Sequence, residues 1–304
     1  MNNTPTTEDR IWSAIAHLSA LTMGVGLVLP IVGWSSYRRK SNYVAFQSLQ
    51  ALGYQSLGYT IWILVALVIV VVQSLSTLSK MVAAANNGAD FGSLTAMGMG
   101  GHFAVMFGLM GLYFALPIIA AITCALGKDF RYPLMGNKLA RYLGYDTITS
   151  NEEQTWLIED HEDRWVAAMG HFSVIIIFWG MLTPVIAWMM QGKRSWFLKF
   201  QAVQAFVFQA GTLLLYFGAG IICFGGALFF LASIGTSGAL DFESPAVMTS
   251  MIVFLVSMLC ASVVMLIVPL LHIMGQWAGY RVLKGDEYRY PWIGRLLEKR
   301  LAKQ

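Results

Sequence analysis

Long apolar segments alternate with short polar connections along this chain of 304 residues, and the same alternation occurs twice. Each repetition contains three apolar segments, which occupy about 11–36, 43–78 and 102–126, then about 165–190, 197–232 and 247–280. A helix needs about 20 mainly apolar residues to cross a hydrocarbon core of ~30 Å, and all six segments reach that length. The pattern predicts an all-α integral membrane protein.

The two halves of the chain are related by an internal repeat. Residues 8–55 and 162–209 share 15 identities over 48 positions without a gap. Similar segments, FRYPLMG from Phe130 and YRYPWIG from Tyr288, close the two halves. Self-similarity of this extent indicates a tandem duplication. We divide the chain into a first membrane repeat, a polar linker and a second membrane repeat that ends in an amphipathic helix: 1–145, 146–161 and 162–304.

The first apolar segment of each repeat contains glycine and proline near its middle. These expected helix breaks are Gly24, Gly26 and Pro30 in the first repeat, and Gly180 and Pro184 in the second. A segment interrupted there gives two halves of about a dozen residues, roughly 18 Å of helix each, which is too short to span the bilayer. The segment therefore either crosses straight or forms a short re-entrant helical hairpin.

The distribution of positive charge favours the hairpin. If each repeat is a hairpin followed by two transmembrane helices, the repeats are parallel and 19 of the 20 Lys and Arg residues share one face. Straight crossings would divide these charges between the two faces. Because basic residues concentrate on the cytoplasmic side, we predict two tandem parallel repeats with both termini cytoplasmic. The N-terminus lacks the features of a signal peptide, so we expect a multi-pass protein of a bacterial plasma membrane.

Composition excludes several classes of protein and of site. The chain is 57% hydrophobic and 12% charged with a net charge of +4, which does not fit a nucleic-acid-binding domain. Its three cysteines lie in apolar runs, and no HxxxH, HExxH or CxxC spacing occurs. We expect no metal site, no cofactor and no catalytic constellation.

Polar side chains recur at equivalent membrane positions in both repeats. They are His17, Gln47, Gln50 and Gln55 in the first repeat, and His171, Gln201, Gln204 and Gln209 in the second. The glutamine spacings place the amides on one broad helical face. Polar groups inside a membrane either join helices through hydrogen bonds or line a path for a solute. Both interpretations stay open, and the sequence favours the structural one.

The C-terminal segment is predicted to anchor the protein to the membrane surface. Its apolar face includes Trp292, and its basic face includes Arg295, Lys299 and Arg300. Such a helix lies in the interface against anionic lipid. The bilayer is therefore an expected partner of this segment.

The combination of an early His-Leu-Ser, a proline in the hairpin, a QAxxxQ helix start and a closing YRYP resembles bacterial membrane domains of unknown function. These domains are grouped with the Tic-twenty-like components of the plastid import apparatus, and the similarity covers nearly the whole of each repeat. The resemblance implies four membrane-embedded helices per repeat. For function it implies assembly or translocation of membrane proteins by analogy only.

The sequence favours a non-enzymatic membrane scaffold or assembly subunit that contacts another membrane protein. Duplicated hairpins, short external connections and small-residue helix faces motivate this hypothesis. The alternative is a channel or transporter with a polar path between the two repeats. An intramembrane enzyme fits least, and membrane shaping by the hairpins is not separated from the scaffold hypothesis.

Overall fold

The computed structural model describes residues 4–85, 91–150, 155–238 and 242–301, and within these ranges every regular element is a helix. The helices of the first repeat are α1 (Thr7–Leu18), α2 (Val28–Tyr37), α3 (Asn42–Gly53), α4 (Tyr59–Ala85), α5 (Phe91–Ala125) and α6 (Gly136–Leu143), and α7 (Tyr145–Ser150) lies at the start of the linker. Those of the second repeat are α8 (Glu159–Phe172), α9 (Ile177–Gly180), α10 (Leu182–Gln191), α11 (Trp196–Ser237), α12 (Pro245–Leu283) and α13 (Ile293–Leu301). The predicted all-α fold is confirmed. Part of the expected linker, 151–154, lies outside the described residues.

The first apolar segment of each repeat forms a hairpin. In the first repeat the Tyr37 hydroxyl donates to the Glu8 carboxylate, and the Trp12 and Tyr37 ring centroids are 5.6 Å apart. A straight helix would separate Glu8 from Tyr37 by about 43 Å. In the second repeat the axis bends by 117°. A β-carbon added to Gly170 would lie 3.5 Å from Pro184. The hairpin prediction is confirmed, although Thr7–Tyr37 has the length and composition of a span.

The chain reverses at Met23 and at Ile177, which occupy equivalent positions in the two repeats. Their φ angles are 53° and 32°, values that L-residues rarely adopt. Gly26 and Gly180 lie three residues beyond, where an added β-carbon would be 2.0 Å from the carbonyl oxygen of Ser19 or Ser173. Each hairpin therefore closes by direct contact between a glycine and the backbone of the incoming arm.

The remaining predicted breaks lie elsewhere in the hairpins. Pro30 and Pro184 are the third residues of α2 and α10, so they begin the returning arms instead of interrupting them. A proline in the first turn removes no helical hydrogen bond, because the N–H at that position has no partner within the helix. Gly24 lies against Trp179 at the tip of the other hairpin, 2.4 Å from an added β-carbon to the Trp179 Cβ.

Two pairs of long helices, α4 with α5 and α11 with α12, provide the transmembrane part. At 1.5 Å per residue, α11 with its 42 residues is about 63 Å long, roughly twice the ~30 Å core. Its first third packs against the hairpin of its own repeat, and the rest packs mainly on α12. The protein therefore has a thick layer on one side, which contains both hairpins, and two slender helical pairs on the other.

The repeats lie side by side and parallel. The basic turn after α2 and the basic turn after α10 meet at one face, where Arg38, Arg39 and Arg194 all contact Glu159. Inverted repeats would separate these turns by the thickness of the membrane. One hydrophobic core crosses the boundary between repeats and includes Trp34 and Trp165, so the two repeats form one packed unit.

Candidate functional site: two buried polar clusters

The first polar cluster joins three distant parts of the first repeat. His17 in the hairpin contacts the Tyr132 hydroxyl through Nδ1 at 3.0 Å and the Gln47 Oε1 through Nε2 at 3.0 Å. The Gln47 amide nitrogen donates to Asp129 at 2.8 Å and to the Phe130 carbonyl at 3.1 Å. His17 is completely buried. The imidazole therefore bridges the hairpin, α3 and the segment that follows α5.

The hydrogen bonds of Gln47 determine the tautomer of His17. Because the Gln47 amide nitrogen donates to two acceptors, its oxygen must accept, and His17 Nε2 carries the proton. His17 Nδ1 then accepts from the Tyr132 hydroxyl. A neutral imidazole satisfies both contacts, as expected where a charge would be costly. The histidine acts as a fixed donor and acceptor within the cluster.

Gln50 and Gln55 extend the cluster in opposite directions along the helix. The Gln50 amide donates to the Phe130 carbonyl at 2.8 Å and its oxygen accepts from the Tyr132 backbone N–H at 3.2 Å. The Gln55 amide donates to Ser19 Oγ at 2.9 Å. The Gln55 oxygen faces Gly26, where an added β-carbon would lie 2.8 Å away. Gln55 therefore secures the hairpin turn, and Gln50 secures the closing loop.

The second repeat contains the same cluster at equivalent positions. His171 contacts the Tyr290 hydroxyl at 3.1 Å and the Gln201 oxygen at 3.0 Å. Gln204 donates to the Tyr288 carbonyl at 3.0 Å and accepts from the Tyr290 N–H at 2.9 Å, and Gln209 donates to the Gly170 carbonyl at 2.6 Å. All eight polar candidates of the sequence are thus hydrogen-bonded within their own repeat.

One charged group distinguishes the two clusters. Asp129 accepts from Gln47 in the first repeat, whereas Glu287 near the same position of the second repeat pairs with Arg289. Burial raises the pKa of Asp129, and its contact with Arg131 opposes that rise. Asp129 lies at the edge of the cluster on the basic face. The centre that the two clusters have in common is therefore uncharged.

The geometry gives little support to a polar path. A cavity of ≈ 780 Å³ opens between α4, α5 and α6, and it is lined mainly by apolar and aromatic side chains such as Trp62 and Tyr113. None of the eight polar candidates lines it. Gln201 lines a smaller cavity of ≈ 350 Å³ together with Arg289 and Glu298. Among the residues that the structure describes, no three His, Cys, Asp or Glu side chains are grouped to hold a metal ion.

A further polar site, at the boundary between the repeats, involves residues that the sequence did not indicate as candidates. The Glu162 carboxylate is fully buried and accepts from the Trp34 indole at 2.9 Å, from Arg38 at 2.9 Å and from Arg39 at 3.2 Å. Its equivalent in the first repeat, Glu8, is exposed, and among the described residues its carboxylate accepts from the Tyr37 hydroxyl. Duplicated residues therefore have different roles.

The analysis of the sequence missed Tyr132 and Tyr290 as members of the clusters. Each hydroxyl reaches a histidine more than a hundred residues earlier in the chain. The signal that could have identified them is the YP pair common to the closing segments of the two repeats. The predicted surface helix is present as α13, on which Arg295, Lys299 and Arg300 are exposed. Trp292 precedes the helix instead of lying on its apolar face, has a φ of 63° and is 88% exposed. Its anchoring to lipid stays a prediction.

Replacing Tyr290 with phenylalanine tests whether a cluster stabilises its repeat. The substitution keeps the ring, which stacks on Phe208 at 4.0 Å, but leaves His171 Nδ1 without a donor. An unsatisfied buried acceptor costs about 1–3 kcal/mol, so we expect a loss of that size in the free energy of unfolding in detergent. The control is Tyr280→Phe, at a tyrosine that is 45% exposed. Equal stability of the two variants would contradict a structural role.

Comparison with known proteins gives a family. The family model described as the magnetosome magnetite crystal formation protein family, MamF/MmsF, matches residues 8–139 and again residues 162–297. No curated protein and no solved structure matches the chain. The expected relation to Tic-twenty-like domains is wrong, because both repeats match the magnetosome family instead. Several of the residues that suggested that relation, among them His17, Gln50 and Tyr132, form a buried cluster that holds the hairpin. With its domain present twice in tandem, the chain belongs to the MamF/MmsF magnetosome magnetite crystal formation protein family.

Proposed function

We propose that this protein is a non-enzymatic scaffold of the magnetosome membrane that takes part in magnetite crystal formation. Membership of the family supports the process and the membrane. The observation that carries the scaffold role is the use of the intramembrane polar groups. The eight histidine and glutamine side chains hold each hairpin to its own repeat, which makes a rigid layer on one face.

The asymmetry of charge supports an orientation for this scaffold. The basic turns and α13 lie on the thick side, and basic residues favour the cytoplasmic face. The slender helical pairs then end on the lumenal side of the magnetosome, where the crystal grows. The protein would thus present a broad surface to the cytoplasm and only helix ends to the mineral. The magnetosome membrane replaces the plasma membrane as the proposed location.

The alternative, a channel or transporter, gains no specific support from the structure. A solute path would require amides that are free to exchange partners, and these amides bond to fixed backbone carbonyls and neighbouring side chains. Substituting Gln50 and Gln204 with leucine would therefore disrupt folding as well as any transport. For this reason, transport has to be tested with the unaltered protein.

Deletion of the coding sequence in a magnetite-forming host tests the proposal. We expect altered crystal size or shape in electron micrographs, with vesicles still formed, and restoration by the intact gene. Unchanged crystals would contradict a role in crystal formation. Purified protein in liposomes should leave the iron permeability of the vesicles unchanged, and a protein-dependent iron influx would favour the channel over the scaffold.

A further inference from the structure

The two repeats contact each other through unlike surfaces. We call the stripe Glu162, Trp165, Met169 and Phe172 on α8 the front surface of the second repeat. Glu162 and Trp165 of this stripe contact the back surface of the first repeat, which comprises Trp34, Arg38, Leu49 and Gly53. Phe172, at the other end of the stripe, also lies against Gly279 of its own repeat. The Trp165 indole donates to the Leu49 carbonyl at 2.9 Å, and a β-carbon on Gly53 would lie 2.4 Å from the Trp165 ring. The interface is therefore heterologous, front to back.

A front-to-back interface between two repeats leaves one front surface and one back surface without a partner in the chain. The front surface of the first repeat is formed by the equivalent residues Glu8, Ile11, Ile15 and Leu18. Ile11, Ile15 and Leu18 are 53%, 37% and 41% exposed, whereas Trp165, Met169 and Phe172 are 7%, 0% and 7% exposed. The same stripe is thus buried in one repeat and open in the other.

The back surface of the second repeat is open at two of its four positions, whereas Val203, the equivalent of Leu49, is buried at 9% exposure. Trp188, the equivalent of the fully buried Trp34, is 39% exposed. Val207, the equivalent of the buried Gly53, is 36% exposed, and Lys193, the equivalent of Arg39, is also exposed. Exposure of apolar residues alone says little in a membrane protein, because lipid covers them. These two surfaces differ from other exposed apolar surfaces because their residues are equivalent to those that form the interface between the repeats.

The two open surfaces are complementary in size and charge. Within the chain a large side chain, Trp165, lies over a residue without a side chain, Gly53. Between chains, the equivalent pair would be Ile11 over Val207, two side chains of intermediate size. The Glu8 carboxylate would likewise meet the Trp188 indole and Lys193, in place of the contacts that Glu162 makes with Trp34 and Arg39. The pair Ile11 and Val207 thus preserves the summed volume of Trp165 and Gly53. Arg38 has no charged counterpart, because Gly192 occupies its equivalent position, so Lys193 alone supplies the positive charge opposite Glu8.

We propose that a second copy of this chain occupies each open surface, so that the front surface of one molecule binds the back surface of the next. Because the repeats are parallel, both open surfaces lie at the same depth in the membrane and can meet without tilting a subunit. A heterologous contact of this kind closes into a ring or continues as a chain of subunits. This inference does not depend on the proposed function, since it rests on the repeat geometry alone.

Cross-linking between two different single-cysteine chains tests the contact. Both chains lack Cys124, Cys223 and Cys260, one carries Ile11→Cys and the other Val207→Cys, and they are reconstituted together in liposomes. A short bifunctional thiol reagent is expected to give dimers that contain one chain of each kind. The matched control pairs Ile11→Cys with Ile221→Cys, at another exposed apolar position, and should stay monomeric. Dimers of Ile11→Cys chains alone, or no dimers at all, would overturn the proposal.

A compensating pair of substitutions gives an independent measurement. Ile11→Trp places a tryptophan against Val207, and overpacking of this size weakens association by about tenfold or more. Adding Val207→Gly recreates the Trp165–Gly53 pair at the open interface, and we expect it to restore association. Energy transfer between chains labelled at the C-terminus reports the change, and Ile11→Trp leaves the isolated fold intact because Ile11 is exposed. Transfer that is unaffected by both substitutions would contradict the proposed interface.

Discussion

Replacing Glu162 with alanine is expected to lower the free energy of unfolding by about 3 kcal/mol, because it removes the nearer and buried carboxylate of the two that pair with Arg38 and leaves Glu159 at 3.4 Å. Arg38 is only 5% exposed and donates to Glu162 at 2.9 Å. The same substitution removes the acceptor of the Trp34 indole at the centre of the boundary between the repeats. Unfolding in mild detergent, followed by circular dichroism, measures the loss.

Glu8→Ala is the matched control for this prediction. Glu8 occupies the equivalent position of the first repeat, is exposed, and makes one hydrogen bond to Tyr37. Exposed polar contacts contribute little, so we expect a loss below about 1 kcal/mol in the isolated chain. Similar losses for the two variants would show that Glu162 does not join the repeats.

A methyl group at Gly180 is expected to destabilise the protein by about 3 kcal/mol, since the hairpin has no room for it. The added β-carbon would lie 2.0 Å from the Ser173 carbonyl oxygen, and a backbone atom cannot rotate away as a side chain can. Gly26→Ala should have the same effect in the first repeat, where the distance to the Ser19 oxygen is also 2.0 Å. Thermal unfolding in detergent gives both values.

Gly211→Ala is the control for the hairpin glycines. Gly211 lies within α11, and an added β-carbon there meets nothing within 4 Å. Alanine favours a helix over glycine by up to about 1 kcal/mol, so this variant should be as stable as the parent or more so. A Gly180→Ala protein that unfolds at the parent temperature would refute the tight closure of the hairpin.

The sequence predicted the parallel repeats and the hairpins because both follow from periodicity and from the sign of charge. The positions at which the hairpins reverse were harder to predict. Glycine and proline indicate where a helix can end, yet the reversals occur at Met23 and Ile177, which adopt positive φ angles. Local preference alone does not identify such residues, because the surrounding contacts impose their conformation.

The glutamine and histidine positions were recognised from their recurrence, but their tyrosine partners were not. A hydrogen bond between His17 and Tyr132 joins residues separated by 115 positions, and no periodicity within one helix reveals it. Nothing in the sequence indicated that Glu8 is exposed and that Glu162 is buried. Because both repeats have glutamate at this position, the sequence does not indicate which repeat provides the front surface of their interface.

The thick layer and the two slender helical pairs have a consequence for the curvature of the membrane. The pair α4 and α5 and the pair α11 and α12 pack far more within themselves than on each other in the described part of the chain, and the hairpins join them at one end. Curvature bends the bilayer, so helices that are fixed together on one side of it converge or diverge toward the other side. Two helical pairs that are joined at one end can change the angle between them without disrupting the hydrophobic core. Strongly curved and nearly flat membranes can therefore hold the same fold.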